Sequence, residues 1–105
     1  MASQRVVFQV TYPPAAAPSF DMDYYLNSHI PLVQKRWSAH GLQSWSVFTG
    51  TEGSGYHVQA TLIWKDLASF ESAPHREEVM GDIKNFTEVL PTRALGLVAA
   101  QGQAA

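Results

Sequence analysis

Alternating apolar residues predict the strands of this chain. From Arg5 to Tyr12 every second side chain is apolar or aromatic, which is the two-residue period of a strand with one buried face. Leu42 to Thr49 and Tyr56 to Trp64 are rich in aromatic and branched residues, and the glycine-rich loop between them predicts a hairpin. Thr92 to Ala100 predicts a last strand, which Gly96 interrupts.

Two segments with helical spacing lie between these strands. We expect the first to begin after Ser19, acting as the N-cap, and to end before Gly41. The second begins after the predicted cap Asp66, is punctuated by Pro74 and continues to about Phe86. The mostly apolar face of the first segment comprises Met22, Tyr25, Leu26, His29, Val33, Arg36 and Trp37.

The order strand, helix, strand, strand, helix, strand predicts an α+β, ferredoxin-like fold, with a four-stranded antiparallel sheet and both helices on one face. The other face would be half apolar, since strand three turns His57, Gln59, Thr61 and Ile63 toward it. Such a face is more often an interface than a bare surface, so we expect a symmetric homodimer through it. The alternative is a monomer with a solvated sheet. The 105 residues suit one domain, with a core over 5–100 and a frayed tail over 101–105.

Charge and composition limit the classes of partner and the cellular compartment that we expect. The net charge is -2 and the seven Lys and Arg residues are scattered, so neither nucleic acid nor an anionic membrane is an expected partner. The absence of cysteine excludes disulfides and thiolate chemistry and is compatible with a reducing cytosol. No run approaches the roughly 20 apolar residues that span a bilayer, and residues 1–4 lack the features of a signal peptide. We therefore expect a cytoplasmic protein.

A proline inside the first helical segment marks the most informative stretch. Pro31 lacks the amide proton that a helix needs, and its ring clashes with the carbonyl of Asn27, while Ile30 is pushed away from helical geometry. We expect His29 to lie where one helical segment ends and another begins, with Tyr25 one turn earlier on the same face, so that imidazole and phenol share a proton. The alternative is a kinked core helix whose histidine bonds a freed carbonyl.

Several short motifs surround this break: Phe20, Tyr24-Tyr25, His29-Ile30-Pro31-Leu32, Gly41-Leu42, Phe70 and the stretch 82–87. In order and separation they resemble the EthD family, named for ethyl tert-butyl ether degradation, over nearly the whole chain. The resemblance implies a dimeric α/β barrel, in which two ferredoxin-like sheets close around a shared interior, with a ligand cleft in each protomer. Relatives in that superfamily include cofactor-independent monooxygenases, polyketide cyclases, lactone isomerases and haem-binding proteins, so the resemblance fixes architecture better than chemistry.

The chemistry we favour centres on His29. Imidazole titrates near neutrality, so we expect it to act as general acid or base, with Tyr25 orienting it or donating a proton. Asp82 and Asn85 would form polar support behind the site, or else cap a helix end or turn. We expect an apolar cleft lined by Tyr12, Tyr24, Trp37, Trp45, Phe48, Trp64 and Phe86, although core packing explains each of them as well.

Together with these residues, the resemblance implies an enzyme that acts without a cofactor on an aromatic or polyketide-like metabolite, by monooxygenase-like oxidation, cyclisation or lyase-like elimination. No metal is expected, because no histidine pair has the short spacing of zinc ligands. Haem would need one axial ligand, which His29 supplies, but nothing else indicates it. The alternative from another class is a non-catalytic dimeric accessory protein that binds or protects a hydrophobic metabolite. A third is a structural dimer with a filled interior.

Overall fold

The four strands form one antiparallel sheet in the order β2-β3-β1-β4. The computed structural model describes residues 4–104. Its strands are β1 Val6–Tyr12, β2 Leu42–Thr49, β3 Val58–Trp64 and β4 Thr92–Leu97. Strand β4 ends before the predicted Ala100 because its partner β1 begins at Val6, which pairs with Leu97. Strand β3 begins two residues later than the pattern predicts, and there the amide of His57 donates to the carbonyl of Tyr12 at 2.8 Å.

Strand β1 shows why the alternation predicted the layers correctly. Val6, Phe8 and Tyr12 are buried on the face that the helices cover, whereas Gln9 and Thr11 lie on the other face and are only partly buried. Helices on one face of a sheet in this strand order give the predicted ferredoxin-like fold.

The first helical region begins at Asp21, not at Ser19 as the sequence suggested. The Asp21 carboxylate accepts the amide of Tyr24 at 3.0 Å, which makes it the N-cap. The Ser19 hydroxyl instead accepts the amide of Glu88 at 3.1 Å and ties the loop before the helix to the segment before β4. Three pieces follow without interruption: α1 Met22–Tyr24, a π-helical turn Tyr25–His29 and α2 Ile30–Trp37.

The π-helical turn is how the chain accommodates Pro31. The amide of Ile30 donates to the carbonyl of Tyr25, five residues back, and Ile30 keeps helical dihedrals of φ -63° and ψ -43°. The expectation that Ile30 leaves helical geometry is therefore wrong, because a wide turn ahead of the proline replaces a break. His29 does mark the boundary between two helical segments, as expected. Leu26 falls outside the apolar face and is 44% exposed.

The second helical region is short and broken. Its first helix, α3 Leu67–Glu71, is capped by Asp66, whose carboxylate accepts the amide of Ser69 at 2.7 Å, as predicted. A turn containing Pro74 leads to α4 Arg76–Gly81, and a 3₁₀ turn Ile83–Asn85 follows. These pieces lie against the sheet beside the first helical region.

The buried residues form two aromatic-rich clusters between sheet and helices. One includes Trp37 and Trp64, and the other includes Tyr12, Tyr25 and Phe86. No helix within residues 4–104 covers the opposite face of the sheet, which stays partly apolar. Within the same residues, no helix has the length and apolar character that crossing a membrane requires.

Candidate active site: a buried histidine beside an apolar cavity

His29, at the end of the π-helical turn, is bonded to a carboxylate from the other helical region. Its Nδ1 lies 2.9 Å from Oδ2 of Asp82, the residue that follows α4, and the imidazole is 6% exposed. The two residues are 53 positions apart, so the contact exists only because the two helical regions pack together. A carboxylate on one ring nitrogen of a buried histidine fixes the orientation of the ring and favours the tautomer protonated there.

The carboxylate of Asp82 is itself held by two further donors. Its Oδ1 accepts the Tyr24 hydroxyl at 2.6 Å and the Asn85 side-chain amide at 2.9 Å. Asp82 precedes a 3₁₀ turn, yet its side chain caps no backbone amide there. The alternative in which Asp82 merely caps a helix end or turn is therefore wrong, and its carboxylate is directed at His29.

Burial and hydrogen bonding set the charges of this pair. Burial lowers the pKa of His29, against the opposing pull of the Asp82 carboxylate. Burial alone would raise the pKa of Asp82, but hydrogen bonds from Tyr24, Asn85 and His29 together hold it below its ordinary value. Near neutral pH the pair is therefore a neutral imidazole beside a carboxylate, with a proton on Nδ1 and a free lone pair on Nε2.

Aromatic rings enclose the imidazole. Tyr25 stacks on it with ring centres 5.5 Å apart and planes at 17°, and Phe86 lies 4.7 Å away at 54°. Burial raises the pKa of the Tyr25 phenol well above its usual range, so Tyr25 stays protonated. Because Tyr25 presents its ring face to His29, it is Asp82 that bonds the histidine, which corrects the expected sharing of a proton between phenol and imidazole.

A cavity borders His29 and Tyr25 between the sheet and the helices; we call it the His29 cavity. It contains about 510 Å³ of space outside atoms, including the part open to solvent, of which about 40 Å³ admits the centre of a water-sized molecule. Its wall is almost entirely apolar. At its border, Trp45 is 39% exposed and donates its indole N–H to the Gln34 side chain at 2.9 Å.

The predicted lining residues divide into two groups. Tyr12, Trp37 and Trp45 line the His29 cavity. Phe48 does not, because it is paired with Gln59 on the opposite face of the sheet. Tyr24, Phe86 and Trp64 also lie outside the wall: Tyr24 bonds Asp82, Phe86 packs behind the imidazole, and Trp64 belongs to the other end of the core.

Much of the wall comes from aliphatic residues that sequence reasoning did not single out. Val10, Ala60 and Leu62 contribute from the sheet, and Met80 and Ile83 from the second helical region. The alternation along β1 and β3 was a sufficient signal for the first three, since it places them on the helix-covered face. Nothing local identifies the other two, whose position depends on how the second helical region packs.

The wall of the cavity does not suit haem. A haem group carries two propionates, and the wall of the His29 cavity, as residues 4–104 form it, has no Lys or Arg to pair with them, although His29 is the residue that would ligate the iron. Within residues 4–104, no group of three His, Cys, Asp or Glu side chains has an arrangement that could hold a metal ion.

Solved structures share this architecture. An EthD-like protein from Ralstonia eutropha JMP134 matches with a TM-score of 0.80 and 24% identity, over 95% of this chain and 96% of that one. A dimeric ferredoxin-like protein from an uncultured marine organism matches with a TM-score of 0.60 and 19% identity, over 97% and 100%. A variant of SnoaB, a cofactor-independent oxygenase from Streptomyces nogalater, matches with a TM-score of 0.57 and 17% identity, over 96% and 97%.

No family model matches the chain, and no curated protein matches it. The similarity therefore lies in three-dimensional structure, and at these identities it establishes the fold. The chain has the ferredoxin-like fold of the EthD-like proteins.

Proposed function

We propose that this protein is a homodimeric EthD-family enzyme that removes a proton from an aromatic or polyketide-like metabolite bound in the His29 cavity, without a cofactor. One observation carries the proposal: a buried histidine whose Nδ1 is bonded to a carboxylate borders an apolar cavity. A base paired with a group that orients it is a common arrangement in general-base catalysis. The histidine is only 6% exposed, so it contributes little to solubility.

The proton transfer uses the ring nitrogen that the protein leaves free. Since Asp82 holds Nδ1, a ligand in the cavity meets Nε2, which carries a lone pair when the ring is neutral. When Nε2 takes a proton from the substrate, the imidazole becomes a cation and the adjacent carboxylate stabilises it. The lowered pKa of His29 keeps the base unprotonated at neutral pH.

The substrate class follows from the wall. An almost wholly apolar lining favours a flat or hydrophobic carbon skeleton, and removal of a proton from carbon requires a neighbouring carbonyl or phenol to accept the negative charge. Tyr25 also borders the cavity, and its protonated phenol can donate to that oxygen. Cyclisation and elimination follow from this carbanion directly, and oxidation follows where dioxygen takes electrons from it, so His29 has one role in each of them.

The homodimer is supported by the open face of the sheet. Phe48 is 44% exposed there and the face is uncovered within residues 4–104, an arrangement that favours burial against a second copy. A protein of the same fold is dimeric. Phe48→Glu places a charge at this face and should convert the dimer to an 11.6 kDa monomer in light scattering after gel filtration. An unchanged mass would refute an interface through this face.

Proton removal can be tested before the natural substrate is known. β-Tetralone is a bicyclic ketone with an acidic C–H, and its exchange for deuterium in D₂O is followed by proton NMR. We expect the protein to accelerate exchange, and His29→Ala to lose about 10²–10⁴-fold of the acceleration while still binding the ketone. His40→Ala is the matched control, because that histidine is exposed and outside the wall of the cavity; this variant should catalyse exchange at the wild-type rate.

The same experiment separates the alternatives. Binding of β-tetralone without accelerated exchange would favour the accessory protein that holds a hydrophobic metabolite. Equal acceleration by wild type and His29→Ala would refute His29 as the base. Absence of binding by any bicyclic probe would favour the structural dimer.

A further inference from the structure

A second cavity lies next to the first, between α3, α4 and the sheet; we call it the Trp64 cavity. About 90 Å³ of it admits the centre of a water-sized molecule, more than twice the corresponding volume of the His29 cavity. A single water needs roughly 10–15 Å³ by this kind of measure. The Trp64 cavity therefore has room for a small organic molecule, and its wall includes the aromatic rings of Trp37, Trp64 and Phe70.

The wall contains a buried donor without an acceptor. Trp64 is 0% exposed, and its indole Nε1 has no hydrogen-bond partner within residues 4–104. Leaving such a donor unsatisfied costs about 1–3 kcal/mol, which is why buried indoles usually find a partner. The other large buried indole, Trp37, donates to the carbonyl of Pro74 at 2.6 Å, so the packing here can satisfy an indole. The nitrogen is closed to the cavity as well as to solvent, so the wall offers a ligand no hydrogen bond from Trp64.

The wall also carries two positive charges and no negative one. Arg76 and Arg93 contribute to it, and no Asp or Glu does. Arg93 is paired with Val10 in the sheet, which turns its side chain toward the helix-covered face. Neither arginine forms an ion pair within residues 4–104.

Arg76 is held in place by a neighbour. Its guanidinium lies 4.6 Å from the centre of the Phe70 ring and donates to the Phe70 carbonyl. A guanidinium that is already positioned loses less freedom when it binds a carboxylate.

We propose that the Trp64 cavity binds an apolar carboxylic acid. Its apolar body packs against Trp37 and Phe70, and its carboxylate meets Arg76 and Arg93. This site does not depend on proton transfer at His29, which is not part of its wall.

The two cavities share three wall residues, Phe8, Trp37 and Met80. An acid in one cavity and a metabolite in the other would be in contact with the same side chains. Binding in the Trp64 cavity is therefore in a position to change the shape of the His29 cavity.

Two probes of the same shape test the proposal by titration calorimetry. β-Benzoylpropionate, an aromatic oxo acid, has the apolar body and the carboxylate, and its amide lacks the charge. We expect the amide to bind about tenfold more weakly than the oxo acid, which corresponds to about 1.4 kcal/mol. Equal affinity of acid and amide would overturn the role of the arginines, and absence of binding by both would overturn the site.

Variants locate the binding. Arg93→Gln should weaken the binding of β-benzoylpropionate about tenfold and leave the binding of its amide unchanged. Lys65 is an exposed cation outside the wall, so the matched control Lys65→Gln should bind β-benzoylpropionate with wild-type affinity. The Trp64 indole proton resonance, assigned with Trp64→Phe, should shift on binding. His29→Ala should bind the oxo acid as the wild type does. If it loses that binding, the acid occupies the His29 cavity and the second site is refuted.

Discussion

The Asp82→Asn substitution tests the core of the proposed mechanism, because it keeps the shape of the side chain and removes one acceptor oxygen. Three donors converge on the carboxylate: Tyr24 and Asn85 on Oδ1, and His29 on Oδ2. An asparagine has one oxygen and one NH₂ group. If the oxygen keeps the two donors at Oδ1, the NH₂ group faces Nδ1 of His29.

The consequence is a change of tautomer. An NH₂ group donates, so Nδ1 must become the acceptor and the ring proton moves to Nε2, the nitrogen that meets the ligand. The base would then have no free lone pair in the cavity, and we expect exchange of β-tetralone to fall about 10²–10⁴-fold. Long-range proton–nitrogen NMR of the labelled protein reads the tautomer directly.

The stability cost can be worked from the same bonds. Hydrogen bonds to a charged group are worth about 1.5–3 kcal/mol and neutral ones about 0.5–1.5 kcal/mol. The Asp82 side chain is 12% exposed, so water replaces little of the loss. We expect urea unfolding to show a loss of about 1–3 kcal/mol.

Tyr24→Phe is the matched control for Asp82→Asn. It removes a bond to Oδ1 but leaves the carboxylate at Nδ1, so it should cost stability without changing the tautomer of His29. An Asp82→Asn protein that retains the Nδ1 proton and the wild-type exchange rate would refute the reasoning.

Two further outcomes are expected. Burial lowers the pKa of His29 in the folded state, so on acidification the unfolded chain binds a proton that the native protein does not. The free energy of unfolding should therefore fall as the pH drops below about 6.5. His29→Asn should flatten this dependence in urea titrations made from pH 7 to pH 5. A slope that persists in His29→Asn would assign it to another group. In Ala60→Leu the larger side chain fills part of the His29 cavity, so β-tetralone binding should disappear. The substitution should cost about 1–3 kcal/mol of stability and leave the His29 tautomer unchanged by NMR. Retained binding would place the ligand elsewhere.

The strands could be predicted from the sequence because one face of each is buried, which enforces a period of two. The same period should have separated Trp45 from Phe48, since residues three apart in a strand face opposite sides. A register shift between Leu42 and Ser44 places both Leu42 and Trp45 on the helix-covered face. The sequence predicts a strand there but does not reveal that irregularity. Only the structure therefore shows which side of the sheet an aromatic side chain of β2 occupies.

The site was only half predictable for a related reason. The sequence identified both residues as candidates, His29 because it lies two positions before a proline and Asp82 because it lies in a stretch that resembles the EthD family. Their contact, however, joins positions 53 apart and follows from the packing of two helical regions. No local pattern specifies which carboxylate reaches a given histidine. The hydrogen bonds from Tyr24 and Asn85 to Asp82 could not be predicted from the sequence either, because they depend on the same packing.

The π-helical turn both accommodates Pro31 and positions His29. Pro31 removes an amide that would otherwise bond the carbonyl of Asn27, and residues 26–28 are exposed, so water can satisfy the freed carbonyl. The imidazole therefore need not supply that bond and remains available to Asp82. The wide turn ahead of Pro31 keeps both Tyr25 and His29 buried and stacked, four residues apart. A π-helical turn in this position thus directs a histidine into the core at the point where the helix lacks a hydrogen bond on its exposed surface.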